Sequence, residues 1–141
     1  MNSLVLQQIW MAALLAVSAY AVWRGGRDER IVALANVIAW GASMLVQNRH
    51  NWVDPQWGVF AVDVAFLGVL LWLVVRSDRI WILPAAAFQL LAVITHAGIL
   101  ADKGVKALAY LVALSVWSYM VLISLAVGTH LRWRLTARPA R

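Results

Sequence analysis

Five long apolar runs divide this chain: Leu4 to Trp23, Ile31 to Gln47, Gln56 to Val75, Ile80 to Leu100 and Val105 to Gly128. Each holds about 17 to 24 residues, and at about 1.5 Å of rise per residue a helix of that length spans a hydrocarbon core of about 30 Å. Backbone in lipid has no water to bond, so a spanning segment must satisfy its own N–H and C=O groups, and a single-segment solution is the α-helix. The expectation is an all-α integral membrane bundle of five transmembrane helices, forming one domain over residues 1–141. Residues 129–141 are expected to be a basic cytoplasmic tail. The composition agrees: 64% of the 141 residues are hydrophobic and 13% charged, too little polar surface to cover a soluble domain of this size.

The joints carry helix punctuation. Gly25-Gly26 reads as the stop of the first helix, Asp54-Pro55 as a capping side chain and N1 proline before the third, and Asp78 as a cap for the fourth. Pro84 falls near the start of the fourth helix, where proline costs least, and Gly104 lies in the link to the fifth. The sequence Ala19-Tyr20-Ala21 after an apolar stretch has the look of a signal-peptidase site, but no Lys or Arg precedes the stretch, and it reads as a first transmembrane helix.

Orientation follows from the cations. With the N-terminus outside, the cytoplasmic segments hold nine: Arg24, Arg27, Arg30, Arg76, Arg79, Arg132, Arg134, Arg138 and Arg141. The external segments hold three: Arg49, Lys103 and Lys106. The positive-inside bias therefore predicts N-out and C-in. Tryptophans prefer the membrane interface, which places Trp10, Trp52 and Trp57 in an outer belt and Trp23, Trp72, Trp81 and Trp133 in an inner one. Trp40 and Trp117 fall near the middle of their helices.

Helices in lipid associate through small residues and interhelical hydrogen bonds, so polar side chains are expected to face inward. Asn36, Trp40, Ser43 and Gln47 lie along one face of the second helix, and Ala85, Gln89, Ala92 and His96 along one face of the fourth. The first offers Gln7, Met11, Leu14 and Ser18, and the fifth Ser115, Ser118 and Tyr119.

Asp63 is the ionisable group flanked on both sides by membrane-length apolar sequence. An aspartate at the centre of a span costs roughly 2.5 to 3.5 kcal/mol on the gentlest insertion scale, so it has to be paired, protonated or open to water. The third helix runs inward and the fourth outward, which sets His96 at a depth comparable to Asp63 and makes it the candidate partner. Gln47, Arg49, His50 and Asp54 fall on the same side, with Gln89 on the face of His96. Three readings stay open: a structural pair, a proton, ion or ligand site open to the outside, and haem ligation by His50 and His96. His130 lies at the other end and reads as interfacial. The stretch Gln47-Asn48-Arg49-His50-Asn51-Trp52 reads as a solvated turn with a tryptophan anchor or as a lid over the cluster.

The net charge of +6 sits beside apolar runs, which makes anionic lipid headgroups, touched by Arg132, Arg134, Arg138 and Arg141, the expected partner in place of nucleic acid. Cysteine is absent, which removes disulfides and thiolate chemistry. No phosphate-binding glycine loop, His-Glu-x-x-His zinc pattern, Gly-x-Ser-x-Gly elbow or intramembrane lysine is present, and no enzymatic activity is expected. The expected function is that of a small multi-pass protein of a bacterial-type inner membrane, acting as a homo-oligomer or as an accessory subunit beside other membrane chains. The alternative is a channel, transporter or ligand-binding protein built around Asp63 and His96, and a third reading is a haem-binding anchor.

Overall fold

A computed structural model of the chain describes residues 3–47, 56–101 and 107–137. Among these the structure is entirely helical: α1 (Ser3–Arg24), α2 (Arg27–Val46), α3 (Trp57–Arg76), α4 (Ile82–Ala101) and α5 (Ala107–Ala137). Three segments are long and apolar enough to cross a membrane, Arg27–Val46, Trp57–Arg76 and Leu108–Ala137, and Ile82–Gly98 is a shorter apolar helix. Each helix packs on the next in chain order, α5 returns against α1, and α2 touches α5. The bundle is therefore a closed ring of neighbours with its core on the inner faces. Leu14, Val32, Leu70, Leu73, Ile82, Val121 and Leu125 are fully buried there. Large apolar side chains such as Ile38, Leu45, Val75, Leu83 and Leu108 point outward on every helix from α2 to α5, as the lipid-facing positions of such a bundle require.

The helix ends differ from expectation at three places, and one cluster accounts for all three. The second helix does not wait for Ile31: its first turn is Arg27-Asp28-Glu29-Arg30. Glu29 turns inward, where it is 1% exposed, and its Oε2 accepts the Gly26 backbone N–H at 2.8 Å. This satisfies a donor that a helix N-terminus otherwise leaves open. The other carboxylate oxygen accepts the Trp81 indole N–H at 3.0 Å. Trp81 is consequently buried inside the bundle.

The indole of Trp81 lies flat against Gly128, where a Cβ would stand 2.4 Å from the ring. Gly128 therefore does not end the fifth helix as expected; it supplies the gap that the indole fills, and α5 runs on for nine further residues to Ala137. The 129–137 part of the expected tail is continuous helix. Within it Arg132 sits over Gly26, while Arg134 is exposed; Arg138 and Arg141 lie outside the described residues. Asp78 does not cap α4 as expected. It stays exposed, and the chain enters α4 through a turn in which the Arg79 and Ile80 carbonyls accept the N–H groups of Ile82 and Leu83. The neighbouring Ser77 hydroxyl ties this turn to α2 by donating to Asp28 at 2.6 Å.

Gly25 explains the two-residue link between α1 and α2. A Cβ there would stand 2.3 Å from the Ala21 carbonyl oxygen and 2.6 Å from the Glu29 Cβ, so no larger residue fits the turn. At the same end Tyr20 and His130 meet at 3.3 Å, and the Arg24 guanidinium lies 4.0 Å from the Trp23 ring and 5.3 Å from the Trp133 ring.

The Trp81 seat gives a direct prediction. Gly128→Ala places a methyl against an indole that cannot swing away without losing its bond to Glu29, and overpacking of this kind costs about 1–3 kcal/mol. Thermal unfolding in detergent should show the loss, and Gly98→Ala, where a Cβ meets nothing within 4 Å, serves as the neutral control. Equal stability of the two variants would mean that the indole is not seated on Gly128.

Candidate functional site

The opposite end of the bundle holds a polar chain that crosses three helices. Asp63 lies in the second turn of α3, His96 in the last turns of α4, and Tyr110 in the first turn of α5. Because α3 and α4 are antiparallel neighbours, a residue near the start of one meets a residue near the end of the other. The depth match read from the sequence is thereby realised as a contact. Asp63 Oδ2 and His96 Nε2 are 2.8 Å apart, and the other ring nitrogen, Nδ1, is 2.7 Å from the Tyr110 hydroxyl. Gln89, two turns before His96, donates its Nε2 to both Oδ1 and the backbone carbonyl of Asp63, at 3.1 Å each.

The helical spacing expected for α4 is observed: Ala85, Gln89, Ala92 and His96 are all buried. The two alanines let α4 come close to its neighbours, and the two longer side chains reach across to α3 and α5. Two aromatic rings flank the imidazole edge-on, Phe60 at 6.0 Å and Tyr110 at 5.5 Å between centroids. They close the space around His96 with apolar surface. Exposure along the chain is uneven. The His96 side chain is 3% exposed and that of Asp63 is 22% exposed, so the polar chain is covered at its imidazole and only partly covered at Asp63.

The other expected members divide. Gln47 ends α2, its backbone N–H bonding the Ser43 carbonyl at 2.9 Å, and no contact among the described residues brings it to Asp63. Arg49, His50 and Asp54 lie outside the described residues. Tyr110 joins the chain at His96, and nothing in the sequence distinguishes it from an ordinary apolar-face tyrosine. The haem reading does not fit this geometry. Iron at His96 Nε2 would displace the Asp63 carboxylate, iron at Nδ1 would displace Tyr110, and neither nitrogen is free.

The polar faces expected to join helices behave in two ways. Ser115 and Ser118 donate to the carbonyls of Leu111 and Leu114, four residues back in their own helix, and so do not bridge to a neighbour. Tyr119 packs on α1 through an edge-on contact with Trp10, 4.8 Å between centroids. Asn36 is buried as expected, and its Nδ2, like the Ser18 hydroxyl, has no partner among the described residues. The bridge that sequence reading missed is Trp117, whose indole N–H donates to Thr95 at 3.1 Å and whose ring stacks on Phe88. It holds α5 on α4 next to the polar chain.

The chain also makes a ranking prediction. His96→Phe removes one partner from Asp63 and the partner of the buried Tyr110 hydroxyl together, and polar groups left short of a partner cost about 1–3 kcal/mol, more where one is charged. Tyr110→Phe removes one hydrogen bond at the sealed end and costs about 1 kcal/mol. Denaturant unfolding in detergent followed by circular dichroism should order the variants in that way, and equal losses would show that Asp63 does not depend on His96. Comparison of the chain with protein-family models, with curated proteins and with solved structures finds no match, so the functional reading rests on this geometry.

Proposed function

We propose that the protein is a non-enzymatic multi-pass membrane protein with five spans, N-terminus outside and C-terminus in the cytoplasm. It works as a channel, transporter or small-ligand-binding protein through the site formed by Asp63, Gln89, His96 and Tyr110, reached from the outer side. The observation that supports this reading is the partial exposure of the Asp63 side chain beside a buried His96. A pair serving only to lock helices together is best covered at both ends, because exposure weakens its attraction and adds nothing to packing. Here a buried imidazole, phenol and carboxamide orient an acid whose side chain keeps an exposed edge. Polar groups held in place around one accessible charge are the arrangement of a site that receives something.

The ligand class that complements such an edge is a small cation or a neutral molecule bearing N–H or O–H donors. Thermal unfolding of the detergent-solubilised protein with sodium, potassium, ammonium and small primary amines at rising concentration tests this. A bound ligand at about 100 times its Kd stabilises by about 2.7 kcal/mol. A stabilisation present in the wild type and absent in a folded Asp63→Asn variant is expected, whereas stabilisation indifferent to that substitution removes Asp63 from the site.

A second reading, assembly with other membrane chains or further copies of itself, is favoured by the low internal coverage of the helices. Only 22% of the Arg27–Val46 and Trp57–Arg76 windows and 28% of the Leu108–Ala137 window is buried within the bundle. Native mass spectrometry of the extracted protein separates the readings, since assembly requires a mass above that of one chain.

Orientation in a bacterial-type inner membrane rests on the nine-to-three distribution of cations. Alkaline phosphatase fused after Arg141 should be inactive and green fluorescent protein at the same place fluorescent. The reverse pattern refutes C-in.

A further inference from the structure

The hydrogen-bond directions in the polar chain follow from one fixed point. Gln89 Nε2 lies 3.1 Å from the Asp63 backbone carbonyl, which only accepts, so the carboxamide presents its nitrogen there. The same nitrogen then donates to Oδ1, leaving Oδ2 as the oxygen that faces His96. With Asp63 ionised, His96 carries its proton on Nε2 and donates it to Oδ2. A neutral imidazole so arranged has a bare Nδ1, which accepts the Tyr110 hydroxyl proton. The chain therefore runs Tyr110 to His96 to Asp63, every group is satisfied, and the cluster carries one net negative charge.

Among the described residues no cation stands beside that charge. From α3 the cluster receives Asp63, from α4 His96 and Gln89, and from α5 Tyr110. The described residues in the half of α2 that packs beside this end of α3 include Ser43 and Gln47 and no ionisable group. The ionisable side chains of α1 and α2, Tyr20, Arg24, Arg27, Asp28, Glu29 and Arg30, stand at or near the Glu29 end. Arg49, His50, Asp54, Asp102, Lys103 and Lys106 fall outside the described residues. One added proton neutralises the cluster, and in a low-dielectric bundle a neutral ion pair is favoured over a lone charge.

Resting on the location of the site proposed above, we infer that Asp63, His96 and Tyr110 form a one-proton binding site whose loading reverses the Tyr110 hydroxyl. One proton is taken up by the pair. No bond between heavy atoms changes: Nε2–H stays on Oδ2, the bare Nδ1 gains the proton, and the imidazolium donates both ways. Nδ1–H now points at the Tyr110 oxygen, so Tyr110 becomes an acceptor and its own O–H must turn to a different partner. The link between α4 and the start of α5 thus depends on whether the site holds its proton. The ligand of the site is then the proton itself, or a monovalent cation that competes with it for the same carboxylate.

Nitrogen NMR of the full chain, labelled with 15N-histidine and solubilised in detergent, reads this directly; the His96 signals are assigned with His50→Gln and His130→Gln. At high pH the expected result is the tautomer protonated at Nε2, converting in one step to a ring protonated at both nitrogens as pH falls, with the Tyr110 ring resonances moving over the same range. Asp63→Asn removes the carboxylate that holds the Nε2 proton and should change both the tautomer and the midpoint of the His96 transition. In Tyr110→Phe, His96 should still titrate while the resonances at the start of α5 stay still.

A wild-type ring protonated at Nδ1, an unchanging His96 between pH 5 and 9, or an Asp63→Asn variant with the same midpoint each overturns the inference. Should Asp63→Asn fail to fold, the wild-type tautomer and titration decide alone. Cation or amine stabilisation that depends on Asp63 while His96 never titrates would sink the proton site and leave the functional reading standing.

Discussion

A carboxyl group inside an apolar bundle must bring its own partners, and this chain meets that constraint twice, once at each end. Glu29 is held by the Gly26 N–H and the Trp81 indole, and Asp63 by His96 and Gln89. Each acid recruits groups from helices far away in sequence. The contacts therefore fix the rotation and register of those helices, which apolar packing against lipid leaves weakly specified. At the Glu29 end, α2, the turn before α4 and the Gly128 segment of α5 are brought together. At the Asp63 end it is α3, α4 and α5. Helix α5 belongs to both clusters, and α4 belongs to one and is entered directly from the other, so their relative placement is determined at two points along their length.

The part of this arrangement legible in the sequence is the part governed by depth and periodicity. Asp63 and His96 sit at matching distances from the ends of consecutive antiparallel helices, and Gln89 shares a face with His96, so their meeting needs only that the two helices be neighbours. Tyr110 was not legible, because a tyrosine at the start of an apolar run looks like any interfacial aromatic until the position of α5 against α4 is known. Glu29 was hidden for a different reason. Within Arg27-Asp28-Glu29-Arg30 it looks like one charge of a solvated turn, and only an indole 52 residues further on makes its burial sustainable. The same indole misdirects the reading of Gly128. A glycine near the end of an apolar run signals a helix stop when judged locally, whereas here its missing side chain makes room for Trp81 and the helix continues.

Side-chain length decides which polar residues hold the bundle together. The hydroxyls of Thr95, Ser115, Ser118, Ser124 and Thr129 each return to the carbonyl four residues back in their own helix. Such bonds satisfy the hydroxyl where it stands and ask nothing of a neighbouring helix. The bonds that cross between helices come from longer groups: Gln89, His96, Tyr110, Trp117 and Trp81. Helical spacing alone treats a serine and a glutamine on an inner face as equivalent, which is why Ser115 and Ser118 read as bridging residues and Trp117 did not. Thr95 stands between the two groups, since its oxygen both donates within α4 and accepts from Trp117 on α5.

The two buried acids differ in what their partners can exchange. Glu29 accepts from an indole and a backbone amide, neither of which gives up or takes on a proton under physiological conditions, and its carboxylate is closed off from the exterior. That cluster is a latch that ties α2 to the turn before α4. Asp63 faces an imidazole, the side chain whose ordinary range lies closest to neutrality, and its side chain is partly exposed. A protonation change there passes to His96 and from His96 to the hydroxyl of Tyr110, so it is felt where α4 and α5 meet. At the Glu29 end Trp81, in the turn before α4, is seated against Gly128 of α5, so the change proposed for the Asp63 end acts on segments that have a second anchor at the far end.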